Sequence, residues 1–305
     1  MIRSLLRHSV ILAALLFALP VLAAGPADST NTLNVSGVKR EYLLHLPPGY
    51  AKGHPAPLLL VLHGGDGEPG ATARNTGMSA VADREGFLVA YPAGLDRHWN
   101  DGRVEVGATA DDVAFLSAVI DDVAGRYDVD RGRVFATGIS NGGFMSARLA
   151  CELSDRVRAI GVVAATMSEA LHAACRPQRP VAVVMFSGTE DPLVPYGGGS
   201  VRGNRGKILG VEATASFWAK MNGCNAEPPA RSELPVFDSG DPTRVSLARY
   251  TGCRPGAEVR LYTIHGGGHT WPGGRPYLPA FVVGKVSRQI DADQVMWEFF
   301  RAQTK

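Results

Sequence analysis

The sequence predicts an α/β fold: a mainly parallel central sheet with helices on both faces, forming a single domain. Three observations carry this expectation. Apolar runs such as Leu58–Leu62 and Phe87–Tyr91 contain no polar residue before the closing tyrosine, as strands buried on both faces require. Helical periodicity recurs between such runs, which is the signature of strand–helix–strand units. No internal repeat, low-complexity tract or linker divides the 305 residues into two cores.

The elements follow in order. Lys39–Leu46 alternates, placing Tyr42, Leu44 and Leu46 on one face, and reads as an edge strand. Strand Leu58–Leu62 (LLLVL), a helical stretch Ala71–Glu85 and strand Phe87–Tyr91 (FLVAY) come next. Asp111–Tyr127 sets Val113, Leu116, Ile120 and Val123 on one helical stripe and opens on acids, which suit the positive end of the helix dipole. Then come strand Val134–Thr137, helix Gly142–Leu153, and strands Ile160–Ala165 and Val181–Phe186. Helix Val211–Met221, strand Val259–Ile264 and helix Asp291–Arg301 complete the pattern. The Pro-rich stretch Glu227–Thr243 reads as a long loop.

Composition narrows the function. With 31 Lys+Arg against 29 Asp+Glu, 45% apolar and 20% charged residues, the chain is globular and lacks the concentrated positive charge that nucleic acid demands. Arg3 and Arg7 precede an uncharged, mostly apolar run, Val10–Ala24, that closes on Val21-Leu22-Ala23-Ala24. A basic start, an apolar core and a small-residue end predict a secretory signal peptide at residues 1–24, with the catalytic domain at 25–305. Fifteen apolar residues interrupted by Pro20 are too few to span a membrane, so no membrane association is expected after its removal. Losing this segment takes away two arginines and no acid, leaving 29 basic against 29 acidic residues in the mature chain.

An oxidising destination gives the cysteines a meaning. Cys151, Cys175, Cys224 and Cys253 contain no Cys-x-x-Cys pair, so neither zinc nor redox chemistry is indicated. Of three possible connectivities, Cys151–Cys175 with Cys224–Cys253 is favoured, because each bridge closes a local excursion.

The strongest chemical signal is Gly138-Ile139-Ser140-Asn141-Gly142-Gly143, set between a strand-like VFAT and a helix-like FMSARLACEL. A serine in that strand–turn–helix context is a nucleophile elbow, whose tight turn presents the hydroxyl above the sheet edge. In α/β-hydrolases an acid and then a histidine follow, each beyond a later strand. Asp191, after Val181–Phe186, and His269, after Val259–Ile264, stand in those positions. Glu190 is the rival acid and His265 the rival base; Pro192 behind Asp191 and the glycines before His269 favour the first pair. The oxyanion would be held by the N–H of Asn141 and by that of Gly65, with Asp66 as the alternative, in the loop His63-Gly64-Gly65-Asp66.

That loop also opens a Gly65-Asp66-Gly67-Glu68-Pro69-Gly70 match to the dinucleotide fingerprint, with Asp83 and Glu85 about twenty residues on. Asp66 and Glu68 would set negative charge where a pyrophosphate must sit, so no nucleotide cofactor is expected. No metal is expected either: HExxH and spaced Cys/His sets are missing, and Asp128-Val129-Asp130 lacks the remaining ligands of a calcium loop. Asn34-Val35-Ser36 is a glycosylation sequon, meaningful in a eukaryotic host.

The succession LHGG, YPAGLDRHWNDGR, DDVAFL, TGISNGGFMS, GTEDPLVPY and YTIHGGGHTWPG resembles the secreted polyhydroxybutyrate depolymerase family of esterases, related to the feruloyl and acetylxylan esterases of carbohydrate esterase family one. The resemblance covers essentially the whole mature chain. It implies an α/β-hydrolase fold, cofactor-free ester hydrolysis and a triad of Ser140, Asp191 and His269. Members often carry His where this chain has Ser187, a departure that bears on substrate recognition rather than on the reaction. No C-terminal polymer-adsorbing module follows, so oligomeric or soluble esters are expected rather than crystalline polymer. The resemblance also places Trp99 and Trp271 near the pocket, as candidate contacts for an acyl chain, a phenolic ring or a sugar, with core packing as the alternative. The leading substrate is a hydroxyalkanoate oligomer and the alternative a feruloyl or acetylxylan ester. A serine peptidase and a catalytically dead secreted binding protein are the remaining readings.

Overall fold

The computed structural model describes residues 27–303, and the signal-peptide expectation for residues 1–24 lies outside them. The described chain begins with a hairpin of β1 (Ala27–Val35) and β2 (Val38–Leu46), followed by β3 (Ala56–Leu62). Helices α1 (Pro69–Asn75) and α2 (Met78–Glu85) lead to β4 (Leu88–Pro92). The centre runs through α3 (Asp112–Arg126), β5 (Val129–Ile139), α4 (Asn141–Glu152), β6 (Ala159–Val163), α5 (Glu169–Ala174) and β7 (Ala182–Gly188). A small hairpin, β8 (Gly199–Ser200) with β9 (Lys207–Ile208), precedes α6 (Val211–Met221). Strands β10 (Ala230–Glu233), β11 (Arg244–Tyr250) and β12 (Val259–His265) and helices α7 (Ala280–Val283) and α8 (Ala292–Arg301) close the fold.

Ten strands form one sheet in the order β1-β2-β4-β3-β5-β6-β7-β12-β11-β10. The six central strands, β4 to β12 in that order, pair in parallel, and the flanking strands pair antiparallel. The LLLVL run explains the layering. Side chains alternate across a strand, so Leu58, Leu60 and Leu62 enter one core with α3, α4 and α6, while Leu59 and Val61 enter the other with α2 and α8. Every residue of β3 and β7 is buried, as parallel strands covered on both faces must be.

The differences from expectation have local causes. Lys39–Leu46 is not the edge: β1 pairs outside it over its whole length. The polar ADSTNTLNV of β1 hides a strand that is at most half-buried. The Ala71–Glu85 stretch is two helices broken at Thr76-Gly77. Within the Pro-rich stretch β10 pairs with β11, whose charged edge residues conceal it. On α3 the buried stripe runs through Phe115, Leu116, Val119, Ile120 and Val123, and Val113 is half-buried.

The bridges are Cys151–Cys175, joining the end of α4 to the segment after α5, and Cys224–Cys253, joining the segments after α6 and β11. Removing the first as Cys151→Ala/Cys175→Ala frees a 24-residue separation in the unfolded chain. The variant should lose about 3 kcal/mol of unfolding free energy in urea titrations. An unchanged midpoint and slope would contradict a structural role for the bridge.

Candidate active site

Strand β5 delivers the chain to Ser140, and α4 begins at the next residue. Ser140 has φ 55° and ψ −122°, a conformation costly for any residue with a side chain. Its N–H donates to Val163 O at 2.9 Å, and its carbonyl accepts from Phe144 N–H at 2.9 Å. The turn closes because Gly142 lies against β3: a Cβ there would come within 2.4 Å of Leu62 O. Ser140 is half-buried and lines a cavity of about 1110 Å³, together with Gly65, Asn141, His269 and Trp271.

Two strand-end loops meet beside it. A Cβ on Gly188, the last residue of β7, would stand 2.3 Å from Gly267 O, so glycine is what lets the loops after β7 and β12 touch. Across that contact His269 Nδ1 lies 2.7 Å from Asp191 Oδ2, with both side chains almost wholly buried. Asp191 Oδ1 accepts from the N–H groups of Leu193 and Val194, both at 2.8 Å, in the turn that Pro192 shapes. A carboxylate is an acceptor, so Nδ1 carries the hydrogen and Nε2 keeps its lone pair. Tyr277 donates its hydroxyl to His269 O at 2.9 Å, fixing the loop from the other side. The rivals lie elsewhere: Glu190 is exposed beside Lys285, and His265 is exposed and bonded to Ser246.

The loop after β3 supplies the opposite wall. His63 Nε2 accepts from Gly94 N–H at 2.9 Å, so its Nδ1–H is the donor to Gly64 O at 2.7 Å. Burial pushes the His63 imidazole down to about 4, and the positive charges of His98 and Arg97 add to this, so the ring is a neutral brace. Asp66 N–H donates to Arg97 O at 3.0 Å. The N–H groups of Gly65 and Asn141 make no such bond among the described residues, and that of Asn141, at the first position of α4, has no helical acceptor.

Trp99 corrects the expectation of a substrate contact. It is fully buried and does not line the cavity. Its indole N–H donates to His63 O at 2.9 Å, and its backbone N–H and C=O are both bonded by the Asn141 side chain. Asn141 Nδ2 also donates to Asp101, which is ion-paired with the buried Arg103. The YPAGLDRHWNDGR segment thus clamps the residue after Ser140. Ser187 is likewise buried and away from the cavity. Residues 65–68 of the glycine-rich match form cavity wall, while Asp83 is bonded to His45 and Glu85 to Trp297.

Trp271 does face the cavity, although almost wholly buried. Its indole N–H donates to Asp293 Oδ1 at 3.1 Å, and Gly77 N–H, at the break between α1 and α2, donates to Oδ2 at 2.8 Å. Asp293 lies in the first turn of α8. Burial, reinforced by Asp291, pushes its carboxyl up to about 7. The folded-state value stands above the unfolded one near 3.9. Its stabilising contribution is therefore complete below pH 4 and is lost as pH rises through about 7. Over that window the wild type should lose thermal stability relative to Asp293→Asn. A Tm difference constant from pH 4 to 8 would contradict this.

Fold and cavity define the chain as an α/β-hydrolase. It belongs to the esterase PHB depolymerase family, whose model matches residues 40–193, and it is an esterase acting on carboxylic ester bonds. It is 34% identical to NocK of Nocardia uniformis subsp. tsuyamanensis, whose name carries a provisional esterase assignment, over 92% of this chain and 85% of that one. It is 31% identical to feruloyl esterase B of Piromyces equi, over 75% of this chain and 42% of that one. With feruloyl esterase D of Neurospora crassa the identity is 28%, over 86% and 89%. Among solved structures, acetyl xylan esterase from Aspergillus awamori shares the fold at a TM-score of 0.60 and 13% identity, covering 90% of this chain and 99% of that one.

Proposed function

We propose that Ser140, His269 and Asp191 are the catalytic triad of a secreted serine esterase whose substrates are hydroxyalkanoate oligomers or related esters. The observation that carries this reading is the buried 2.7 Å contact of His269 Nδ1 with Asp191, in the loops that adjoin Ser140 across one cavity. His269 Nε2 takes the hydroxyl proton as Ser140 Oγ attacks the ester carbonyl. Asp191 holds the ring and stabilises its cationic form. The N–H groups of Gly65 and Asn141 receive the developing oxyanion; the engagement of Asp66 N–H with Arg97 O favours Gly65 over Asp66. The proton passes to the departing alcohol, and His269 then draws a proton from water as it attacks the acyl-enzyme, releasing the acid and restoring Ser140.

A second reading, hydrolysis of feruloyl or acetylxylan esters, is favoured by the names of the relatives and by Trp271 and Tyr277 on the cavity lining. Residues 1–24 serve as the signal peptide and 25–305 as the catalytic domain in this account, and the two disulfides suit an oxidising compartment.

Ser140→Ala should lower kcat on p-nitrophenyl butyrate by at least about 10⁴-fold, and Asp191→Asn by about 10³ to 10⁴-fold, with KM little changed. Residual activity within tenfold of wild type in either variant would contradict the assigned roles. Rates on hydroxybutyrate oligomers, methyl ferulate and acetylated xylan then rank the substrate classes; turnover confined to the last two would favour the second reading.

A further inference from the structure

A chain balanced in charge overall has a locally unbalanced site. Five arginines and three carboxylates line the cavity. Two of those arginines are committed: Arg103 to Asp101, and Arg97 to Glu68 and to carbonyls of its own wall. Arg202 and Arg205 are not. Their guanidinium groups have no hydrogen bond, ion pair or aromatic partner among the described residues. Both sit in the turn 201–206 joining β8 to β9.

The turn is built rather than loose. Gly203, Asn204 and Gly206 all take positive φ, which tightens it. Val201 N–H donates to Gly206 O at 3.0 Å, and Arg202 N–H donates to Leu193 O at 2.9 Å, two residues beyond Asp191. Arg103 Nη1 donates to Arg205 O at 3.0 Å, and Arg103 is held through Asp101 to the side chain of Asn141. One end of the turn is thus anchored to the acid's loop and the other to the residue after Ser140. The remaining charged groups of the lining do not quench it. Glu105 lies beside Gly206 without an ion pair to either arginine, Asp66 and Glu68 belong to the loop after β3, and Arg275 adds a further positive charge.

We infer that Arg202 and Arg205 form an anion subsite that seats a carboxylate carried on the alcohol portion of the ester substrate. A guanidinium stays charged at every working pH and matches a carboxylate in a two-point fork. The inference rests on the triad reading and deepens it: a linear hydroxyalkanoate oligomer ends in one carboxylate, whereas acetate or ferulate esters of neutral sugars present none. Cleavage of R–CO–O–R′–COO⁻ by water gives R–COOH and HO–R′–COO⁻, with the distal carboxylate unchanged.

The test compares the 3-hydroxybutyrate dimer as its free acid and as its terminal carboxamide, read as the ratio of kcat/KM for the internal ester. The wild type should favour the acid, and raising salt from 0.05 to 0.5 M should shrink that preference. Arg202→Gln/Arg205→Gln should reduce the ratio about tenfold, through KM of the acid, and Arg202→Glu/Arg205→Glu should reverse the preference. A ratio that neither variant moves, or an equal loss on both substrates, overturns the subsite. Hydrolysis of p-nitrophenyl butyrate by the wild type separates the two layers. Its absence defeats the esterase reading itself, and its presence with an unmoved ratio defeats only the anion subsite.

Discussion

The site depends on one crowded contact, the backbone of the α4 N-terminus pressed against the carboxyl end of β3. Because Gly142 has no side chain, α4 sits close enough to Leu62 O for the chain to turn through a positive φ at Ser140. That single closure lifts Ser140 to the sheet edge and sets it, the first residue of α4 and the loop after β3 on one cavity lining. The strain at Ser140 persists because its N–H and C=O are each held by neighbours in the sheet and helix.

Around this closure the side chains act mainly as braces. Asn141 is locked onto the backbone of Trp99, Trp99 onto His63 O, and His63 onto Gly94 and Gly64. On the other side Tyr277, Val283 and Lys285 hold the His269 loop through its backbone. A reacting serine and histidine need positions good to fractions of an ångström, and such positions come from neighbours with no freedom of their own. The same network reaches Arg103 and the 201–206 turn, so the wall of the cavity is positioned by the groups that position Ser140.

Much of this was legible in the sequence, for physical reasons. Mainly apolar runs identified the parallel strands because burial on both faces favours apolar side chains, and the placement of Ser140, Asp191 and His269 at strand ends followed from that. The antiparallel flanks were not legible: β1 is polar and at most half-buried, β10 is exposed, and β11 mixes Arg244 and Arg249 with its buried residues. Nor was the break at Gly77, which answers to Asp293 on a helix far along the chain. Trp99 misled because an aromatic in a pocket-side loop gives no sign of which way it faces. Nor could net charge show the distribution, since a balanced total says nothing about arginines gathered on one turn.

The most direct test of the account is covalent. Treating the protein with a fluorophosphonate and mapping the peptides by mass spectrometry should give one adduct, on Ser140, and His269→Ala should abolish it, because the hydroxyl then has no base to take its proton. An adduct on another serine, or undiminished labelling of Ser140 in that variant, would contradict the claim that the strained turn and the paired histidine make Ser140 the nucleophile.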